Sequence, residues 1–583
     1  MNKRADLDIL QYLTQNNMTT QRELAEKLGY SLGSVNRGLG NLRQLGYLDD
    51  VFCLTDKAWE FLADHRPERA IILAAGSGMR MVPANRTFSK AMLEVHGEIL
   101  IERLIEQLHI AGVDDIYIVV GFMKEQFEYL IDQYGVKLIV NREYDLKNNM
   151  ESLRKVRGFL RNTYIVPCDI WCEKNPFHRY EPYPWYLVKK ETDVKSDVYI
   201  NRKGELIKTG ADVPGNIMIG ISYLDSVAGE YVGKMLDKFS ADARYDDSFW
   251  EETLYDRQKM VVQGKIAGFY VHEINTYEDL RDIDSDSGHL DSDAICLLSD
   301  IFGVDKQDIK DIKVLKAGMT NRSFEFVCKG RRYIMRIPGE GTAQMIDRRQ
   351  EYEVYQMINR EHICDEVVYM NPDNGYKVTA FIENARNCDP DNADEVSQCM
   401  RYLRAFHEKK FKVGHTFDLF QQIDFYESLW NGNPSAYRDY QETKENVFKL
   451  RAYIEAQPIE KVLTHIDAVP DNFLFTDEGI RLIDWEYAGM QDPHVDIAMF
   501  AIYSMYDPEQ VEQLIDFYFT EGCPIEVRKK IYCYIAAAGL LWSNWCEYKR
   551  QLGVEFGEYS LRQYRYAKDY YRLFLKLGGM EED

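Results

Sequence analysis

Residues 68–80 read ERAIILAAGSGMR. An apolar run passes straight into a loop of Ala, Gly and Ser, as a buried strand does when it opens onto a phosphate. Small residues let backbone N–H groups approach an anion closely. Leu73, Ala74, Ala75, Gly76, Ser77 and Gly78 are therefore the nucleotide-binding candidates. Arg80 can add charge-assisted bonds to a triphosphate, and Lys90, in FSKAMLEVHG, supplies a second cation. Outward from this loop, LIERLIEQLHIAG (100–112) is an amphipathic helix. DDIYIVVGF (114–122), KLIVN (137–141) and TYIVPCD (163–169) are further strands. Strands alternating with helices argue for a parallel sheet with ligands at the strand C-termini.

The chain has 583 residues, which predicts about three or four domains. Hydrophobic residues make up 45% and charged residues 28%, which excludes a fibrous, wholly disordered or small disulfide-built protein. A net charge of -24 argues against non-specific coating of nucleic acid. Eleven cysteines are too sparse for a disulfide framework. Cys168 and Cys172, in CDIWC, lack a second pair at zinc-ligand spacing and read as bystander thiols. MNKRADLDILQYL has neither a long apolar core nor a cleavage site. The longest apolar stretch, IYCYIAAAGLLW (531–542), is shorter than the ~18–20 residues of a membrane helix. A cytoplasmic protein without a membrane span is expected.

Three segments differ in pattern: 1–66, 67–290 and 291–583. The first reads as three helices, a short strand pair and a last helix. In TTQRELAEKLGY (19–30), Thr20 can cap a helix and Glu23 can reach back. SLGSVNRGLGNLRQLGYL (31–48) follows the turn, and GYLDDVFCLTDKAWEFL (46–62) offers a hairpin and a helix. The segment resembles a winged helix-turn-helix domain. Its second helix would present Ser34, Asn36, Arg37, Asn41 and Arg43 to phosphates or base edges. Eight Lys/Arg stand against nine Asp/Glu, so a basic footprint is lacking. DNA and a protein partner are equal alternatives for residues 1–66. The second segment ends near VHEINTYEDLRDI (271–283), and the acidic DSDSGHLDSD (284–293) reads as a linker.

The longer string LAAGSGMR…SK…LEVHG…LIERLIEQL resembles the nucleoside triphosphate transferases that make nucleotide-sugars and CDP-alcohols. That resemblance implies in-line attack of a substrate phosphate on an α-phosphate, with release of pyrophosphate. Mg²⁺ would neutralise charge, and Arg80 and Lys90 would hold the leaving group. Asp169, closing TYIVPCD, is the implied metal carboxylate, and Asn275, in HEIN, the second metal position. The family often has Pro-Lys where this chain has Ser89-Lys90. Most of residues 70–280 more narrowly resembles bacterial CTP:phosphocholine cytidylyltransferases. The match runs through VVGFMKEQFEYL, YGVKLIVN, YDLKNNMESL, PWYLV, DDSFWEE and HEINTYEDL. That family holds a trimethylammonium with rings and acids. The matching positions are Trp185, Asp247, Phe249, Trp250 and Glu251. A quaternary ammonium has no N–H, so shape, charge and cation–π attraction, about 0.5–2 kcal/mol per ring, must select it. Contacts to the base of CTP fall to loop 121–127, Asn148, Asn149 and Ser152.

LTHIDAVPDNFLF (463–475) sets His465-x-Asp467 before Asn472, and IDWEYAG (483–489) adds Asp484. This order resembles the protein-kinase-like phosphotransferases. It implies that Asp467 accepts the proton of an attacking hydroxyl while Asn472 and Asp484 hold Mg²⁺ on ATP. Upstream, VLKAGMTNRSFEFVCKGRRYIMRIPG (314–339) reads as a sheet-rich lobe before a helical one. Thr320 and Asn321 suit the phosphate loop. Arg336 stands in for the usual strand lysine, with Glu351 as its helix partner and Glu353 nearby. About residues 300–575 resemble bacterial choline kinases, through YIMRIPG, THIDAVPDNFLF, IDWEYAG and AGLLWSNW. Glu486, Trp542 and Trp545 correspond to that family's choline pocket, with Tyr487 beside them. The two tryptophans fall three apart on a helix, hence on one face.

The fold expected is multidomain α/β and α+β: a winged helix-turn-helix, a Rossmann-like nucleotidyltransferase with a mixed sheet, and a bilobal protein-kinase-like domain. The paired resemblances imply a route from choline and ATP to phosphocholine, then with CTP to CDP-choline. Three alternatives stand beside it. One keeps both reactions but uses ethanolamine or another amino alcohol. One is a transcription regulator whose enzyme-like domains sense ligands, against which the retained Asp169, Asp467, Asn472 and Asp484 speak. The third is a sugar nucleotidyltransferase fused to an antibiotic kinase, against which the tryptophans speak.

Overall fold

The computed structural model describes residues 4–578 apart from 18–19, 77, 85–87, 145–146, 211–212, 257, 259, 316–320, 340–345, 552–553 and 555. Ser77 and Thr320, two nucleotide-binding candidates, lie outside the described residues. The chain packs into two compact units, Met1–Lys306 with Ile312–Val314, and Gln307–Asp311 with Leu315–Asp583.

The first unit joins the two N-terminal segments. Helices α1 (Arg4–Leu13), α2 (Gln21–Leu28), α3 (Leu32–Gln44) and α4 (Asp56–Ala63) enclose a small core around Ile9, Val35, Leu39 and Leu62. Thr20 caps α2 as expected, accepting from the Glu23 backbone N–H at 3.1 Å. The expected strand pair contracts to a single bridge, Leu48 to Leu54. α1 then docks on the next segment. The Gln11 amide donates to Tyr180 O at 2.7 Å and to Glu181 Oε2 at 3.1 Å, and Arg4 donates to Gly204 O at 3.1 Å. Asp8 accepts from the hydroxyls of Tyr30 and Tyr183. These bonds are why two segments read as separate domains form one unit.

The sheet of the middle segment has seven strands: β1 (Arg69–Ala74), β2 (Asp115–Val120), β3 (Lys137–Val140), β4 (Thr163–Pro167), β5 (Trp185–Asp193), β6 (Gly215–Leu224) and β7 (Gln263–Ile266). Their order is β7-β5-β6-β4-β1-β2-β3. β1 lies parallel to β2 and β4, whereas β6 runs antiparallel to β4 and β5, so the sheet is mixed. Both faces are covered, as buried parallel strands require. Ile72, Ile118 and Val166 pack with helix α5 (Leu100–Ile110) on one side, and Ile71, Val119 and Ile165 fill the other. The nucleotide loop leaves the C-terminal end of β1. Phe122 N–H donates to Ala75 O at 3.1 Å. A Cβ at Gly121 would fall 2.7 Å from that same carbonyl, so this close approach demands glycine.

The acidic stretch 284–293 is tied down rather than free. Ser287 donates to Glu94 O at 3.0 Å, His96 N–H to Asp284 at 2.6 Å, and the Tyr277 hydroxyl to Leu290 O at 2.8 Å. The first unit runs on through helix Asp293–Phe302.

The second unit has the two-lobed layout. Strands β9 (Asn321–Cys328), β10 (Arg331–Pro338), β11 (Val367–Met370) and β12 (Lys377–Ala380) form its sheet, in the order β9-β10-β12-β11, and β8 (Lys310–Val314), whose residues divide between the two units, pairs along β9; helix α6 (Arg348–Ile358) follows β10 in sequence. The helical lobe includes α7 (His494–Tyr503), α8 (Ile525–Gln551) and α9 (Glu558–Lys576). A Cβ at Gly539 of α8 would lie 2.7 Å from Gln563 O of α9, which is how closely these helices cross. IYCYIAAAGLLW lies in α8, inside this lobe's core. Among the described residues no helix is long and apolar enough to cross a membrane. All eleven cysteines are free. Burial pushes the Cys168 and Cys172 thiols up to about 12, away from the thiolate that a metal or a nucleophile needs.

Candidate active sites

In the first unit, three segments far apart in sequence converge at the strand ends. Lys90 opens a short turn whose Ser89 N–H donates to Gln126 at 2.8 Å. Its ammonium contacts Asp169 and donates to Asn275 Oδ1 at 2.8 Å. Arg80 donates to the same Asn275 oxygen at 3.0 Å. Lys90, Asp169, Asn275 and Arg80 thus form one cluster. Of the loop glycines, Gly76 is exposed and Gly78 has φ +61°. Sequence reasoning missed Glu273, two residues before Asn275. Burial and the nearby Asp169 raise its carboxyl pKa. The alternation of HEIN placed Glu273 and Asn275 on one face, which was the available signal. The oxygen donors of Asp169 and Asn275 fit Mg²⁺, which is commonly held by one or two carboxylates plus phosphate oxygens. Among the described residues no group of three or more His, Cys, Asp or Glu is placed to hold a metal.

The aromatic cage expected here does not assemble as read. Successive strand residues point to opposite faces. Trp185 of β5 packs with Tyr164 and Tyr223 on one side of the sheet, while Tyr186 and Trp250 share the other, 6.3 Å apart. Trp185 and Trp250 are each 1% exposed. The Trp185 indole N–H donates to Glu181 at 2.8 Å, and Lys265 Nζ already stands 4.4 Å from its ring centre. Trp185 is thus buried, with its indole N–H and one ring face already engaged. Asp247 and Phe249 face outward; only Trp250 and Glu251 turn in. Tyr186, unpredicted, donates to Glu251 Oε1 at 3.0 Å, leaving Oε2 without a partner. Burial pushes the Glu251 carboxyl up to about 7. Asn148 and Asn149, candidates for contacts to the base, also hold this segment. Asn148 donates to Asp247 O at 3.0 Å, and Asn149 accepts from Trp250 N–H at 3.0 Å. Ser152 accepts from Asn141 at 3.0 Å.

In the second unit the candidates share one cavity of about 520 Å³. Asp467, Asn472, Asp484, Glu486, Tyr487, Trp542 and Trp545 all line it. The Asn472 amide donates to Asp467 O at 2.9 Å and Oδ2 at 3.2 Å. Burial, with Asp484 and Glu486 nearby, pushes the Asp467 carboxyl up to about 8. Trp542 and Trp545 meet edge to face at 5.7 Å, and Tyr487 stands 5.9 Å from Trp542. Arg336 is buried with Glu351 2.6 Å away, as expected, and reaches Asp484 at 3.4 Å. Glu353 instead accepts from Gly414 N–H at 2.8 Å. Asn321 has its amide on Glu486 at 3.0 Å rather than free for a phosphate. His465 is buried and its pKa is lowered to about 4; it lies 2.9 Å from Ile483 O, so it is a neutral brace.

On α3, Arg43 pairs with Asp50, Asn41 donates to Asp6 at 3.3 Å, and Ser34 pairs with Ser31 at 2.9 Å. Asn36 and Arg37 are left facing outward.

Residues 70–177 match the MobA-like NTP transferase domain. A choline-phosphate cytidylyltransferase from Streptococcus pneumoniae is 32% identical over 231 residues, 37% of this chain and 96% of that one. The chain belongs to this cytidylyltransferase family. Residues 311–528 match the phosphotransferase enzyme family, and residues 3–49 a winged helix-turn-helix DNA-binding family. Protein LicA of Haemophilus influenzae is 26% identical over 258 residues, 42% of this chain and 96% of that one. The crystal structure of choline kinase LicA from Streptococcus pneumoniae is 25% identical, covers 48% of this chain and 96% of that one, and superposes with a TM-score of 0.42. The cytidylyltransferase and the kinase-like segments are both transferase domains.

Proposed function

We propose that this chain makes CDP-choline in two steps, phosphorylating choline with ATP and then transferring cytidylyl from CTP to the phosphocholine. The observation that carries the reading is the 520 Å³ cavity in which Trp542, Trp545 and Tyr487 face the same space as Asp467, Asn472 and Asp484. Aromatic faces attract a quaternary ammonium, and the hydroxyl two carbons away would then reach Asp467. Asp467 accepts the hydroxyl proton, held in place by Asn472. Arg336, fixed by Glu351, steadies the α- and β-phosphates. In the first unit, Lys90 and Arg80 hold the leaving pyrophosphate. Asn472 and Asp484 in one site, and Asp169 and Asn275 in the other, would hold Mg²⁺, which would supply charge neutralisation on the phosphates.

A second reading, with ethanolamine or another amino alcohol, draws on the middle segment. Trp185 is withdrawn there, and the partnerless Oε2 of Glu251 would suit an N–H donor. For residues 1–66, DNA would meet Asn36 and Arg37. Purified protein given Mg·ATP, CTP and either alcohol should yield CDP-choline with pyrophosphate. CDP-ethanolamine as the preferred product would select the second reading, and neither product would remove both.

A further inference from the structure

We propose that Asp471, oriented by Tyr503, is the counter-charge that makes the kinase cavity select a cationic alcohol. The inference rests on the choline reading of that cavity. Four carboxylates line it: Asp467, Asp471, Asp484 and Glu486. Three are engaged. Asp467 is bonded to Asn472 at 3.2 Å and has to receive the substrate hydroxyl. Asp484 lies 3.4 Å from Arg336 and is read as a Mg²⁺ ligand. Glu486 Oε2 accepts from Asn321 at 3.0 Å and from Arg348 at 3.4 Å, with Arg336 3.7 Å away, so that oxygen is already occupied.

Asp471 has no ion pair among the described residues, yet it is held at both ends. Its carbonyl accepts from Asn387 at 2.6 Å, and its Oδ2 accepts from the Tyr503 hydroxyl at 2.8 Å. The carboxylate is exposed, and Tyr503 holds it at the rim of a cavity walled by Trp542, Trp545 and Tyr559, with no cationic side chain of the described residues paired to it. A headgroup without N–H gains nothing from a hydrogen-bond acceptor, but it gains from a nearby negative charge. The rings alone would accept an uncharged group of the same outline. The charge is what separates the two.

The test sets choline against 3,3-dimethylbutan-1-ol, its uncharged carbon isostere, in the full chain with Mg·ATP. Asp471→Asn should raise KM for choline about fivefold, while kcat, KM for ATP and KM for the isostere stay within about twofold. Asp471→Glu should restore part of the preference. If Asp471→Asn does not fold, Tyr503→Phe carries the test, with choline KM up about threefold and the isostere unmoved. An unchanged choline KM, or equal loss for both alcohols, overturns the proposal. A wild-type protein inactive on choline defeats the choline reading itself, a separate result seen before any variant is made.

Discussion

Asp496 Oδ1 accepts a 2.7 Å hydrogen bond from the backbone N–H of Ile466. Ile466 holds φ +70°, a left-handed conformation that a β-branched residue keeps only under constraint. Asp496 Oδ2 accepts from His465 N–H at 3.0 Å and lies 2.9 Å from His407 Nε2. The Tyr518 hydroxyl closes the chain, 2.9 Å from His407 Nδ1. This buried network sets the direction of Asp467, the next residue. Asp496→Ala would leave two buried N–H groups unpaired. Kinase kcat should fall about a hundredfold, and stability of the second unit by about 2–4 kcal/mol. Cytidylyl transfer from supplied phosphocholine should be unchanged. Separate assays of the two half-reactions, with denaturant unfolding, measure this; an unaltered kinase kcat would put the strain outside the mechanism.

The two clusters share no residue, so each should fail alone. Lys90→Met removes the cation that donates to Asn275 at 2.8 Å. Cytidylyl transfer should drop by about a thousandfold, and phosphocholine should accumulate from choline and ATP. Asp467→Asn should stop phosphorylation while supplied phosphocholine still becomes CDP-choline. Product analysis by chromatography distinguishes these outcomes. Loss of both activities in either variant would contradict the separation.

Glu251 should impose a pH dependence on stability. Its carboxyl moves from 4.5 up to about 7 because the fold desolvates it. The folded protein therefore binds this proton more tightly than the unfolded chain. Its contribution is most favourable at or below the unfolded value and is lost as pH rises through about 7. Glu251→Gln keeps an acceptor for Tyr186 and removes the ionisation. Relative to wild type, the variant should gain stability as pH rises from about 5, reaching roughly 1–3 kcal/mol by about pH 8. Denaturation midpoints of both proteins across that range give the answer. A difference that does not change with pH would mean the carboxyl titrates normally.

What was legible in the sequence was local. The H-x-D-x-x-x-x-N string, the strand-to-glycine loop and the Thr20 cap each depend on residues within a few positions, and each is formed. Arg336 with Glu351 was also readable, because β10 and α6 follow one another. Parity across strands was not. PWYLV sets Trp185 beside Tyr186, and which of them faces Glu251 depends on how β5 pairs with β6, where the register shifts between Asn216 and Met218 and again before Ser222. Nor could the polar run 284–293 reveal its bonds to Glu94 and His96, nearly two hundred residues earlier. The docking of α1 on Tyr183 and Glu181 was hidden for the same reason: the partners are remote in the chain.

The tryptophans provide the last contrast. Trp185 donates its indole N–H to Glu181, a carboxylate fully buried among Tyr164, His178 and Lys265. Trp185→Phe keeps the ring but removes that donor, which should cost about 1–2 kcal/mol of stability and leave KM for phosphocholine unchanged. Trp542 behaves oppositely, since its ring is half-buried and borders the cavity beside Tyr487. Trp542→Leu should raise KM for choline about tenfold through the lost cation–π face, with KM for ATP within error of wild type. Thermal melts and alcohol titrations on the two variants separate a packing role from a binding one. A raised phosphocholine KM in Trp185→Phe would restore that residue to the substrate site.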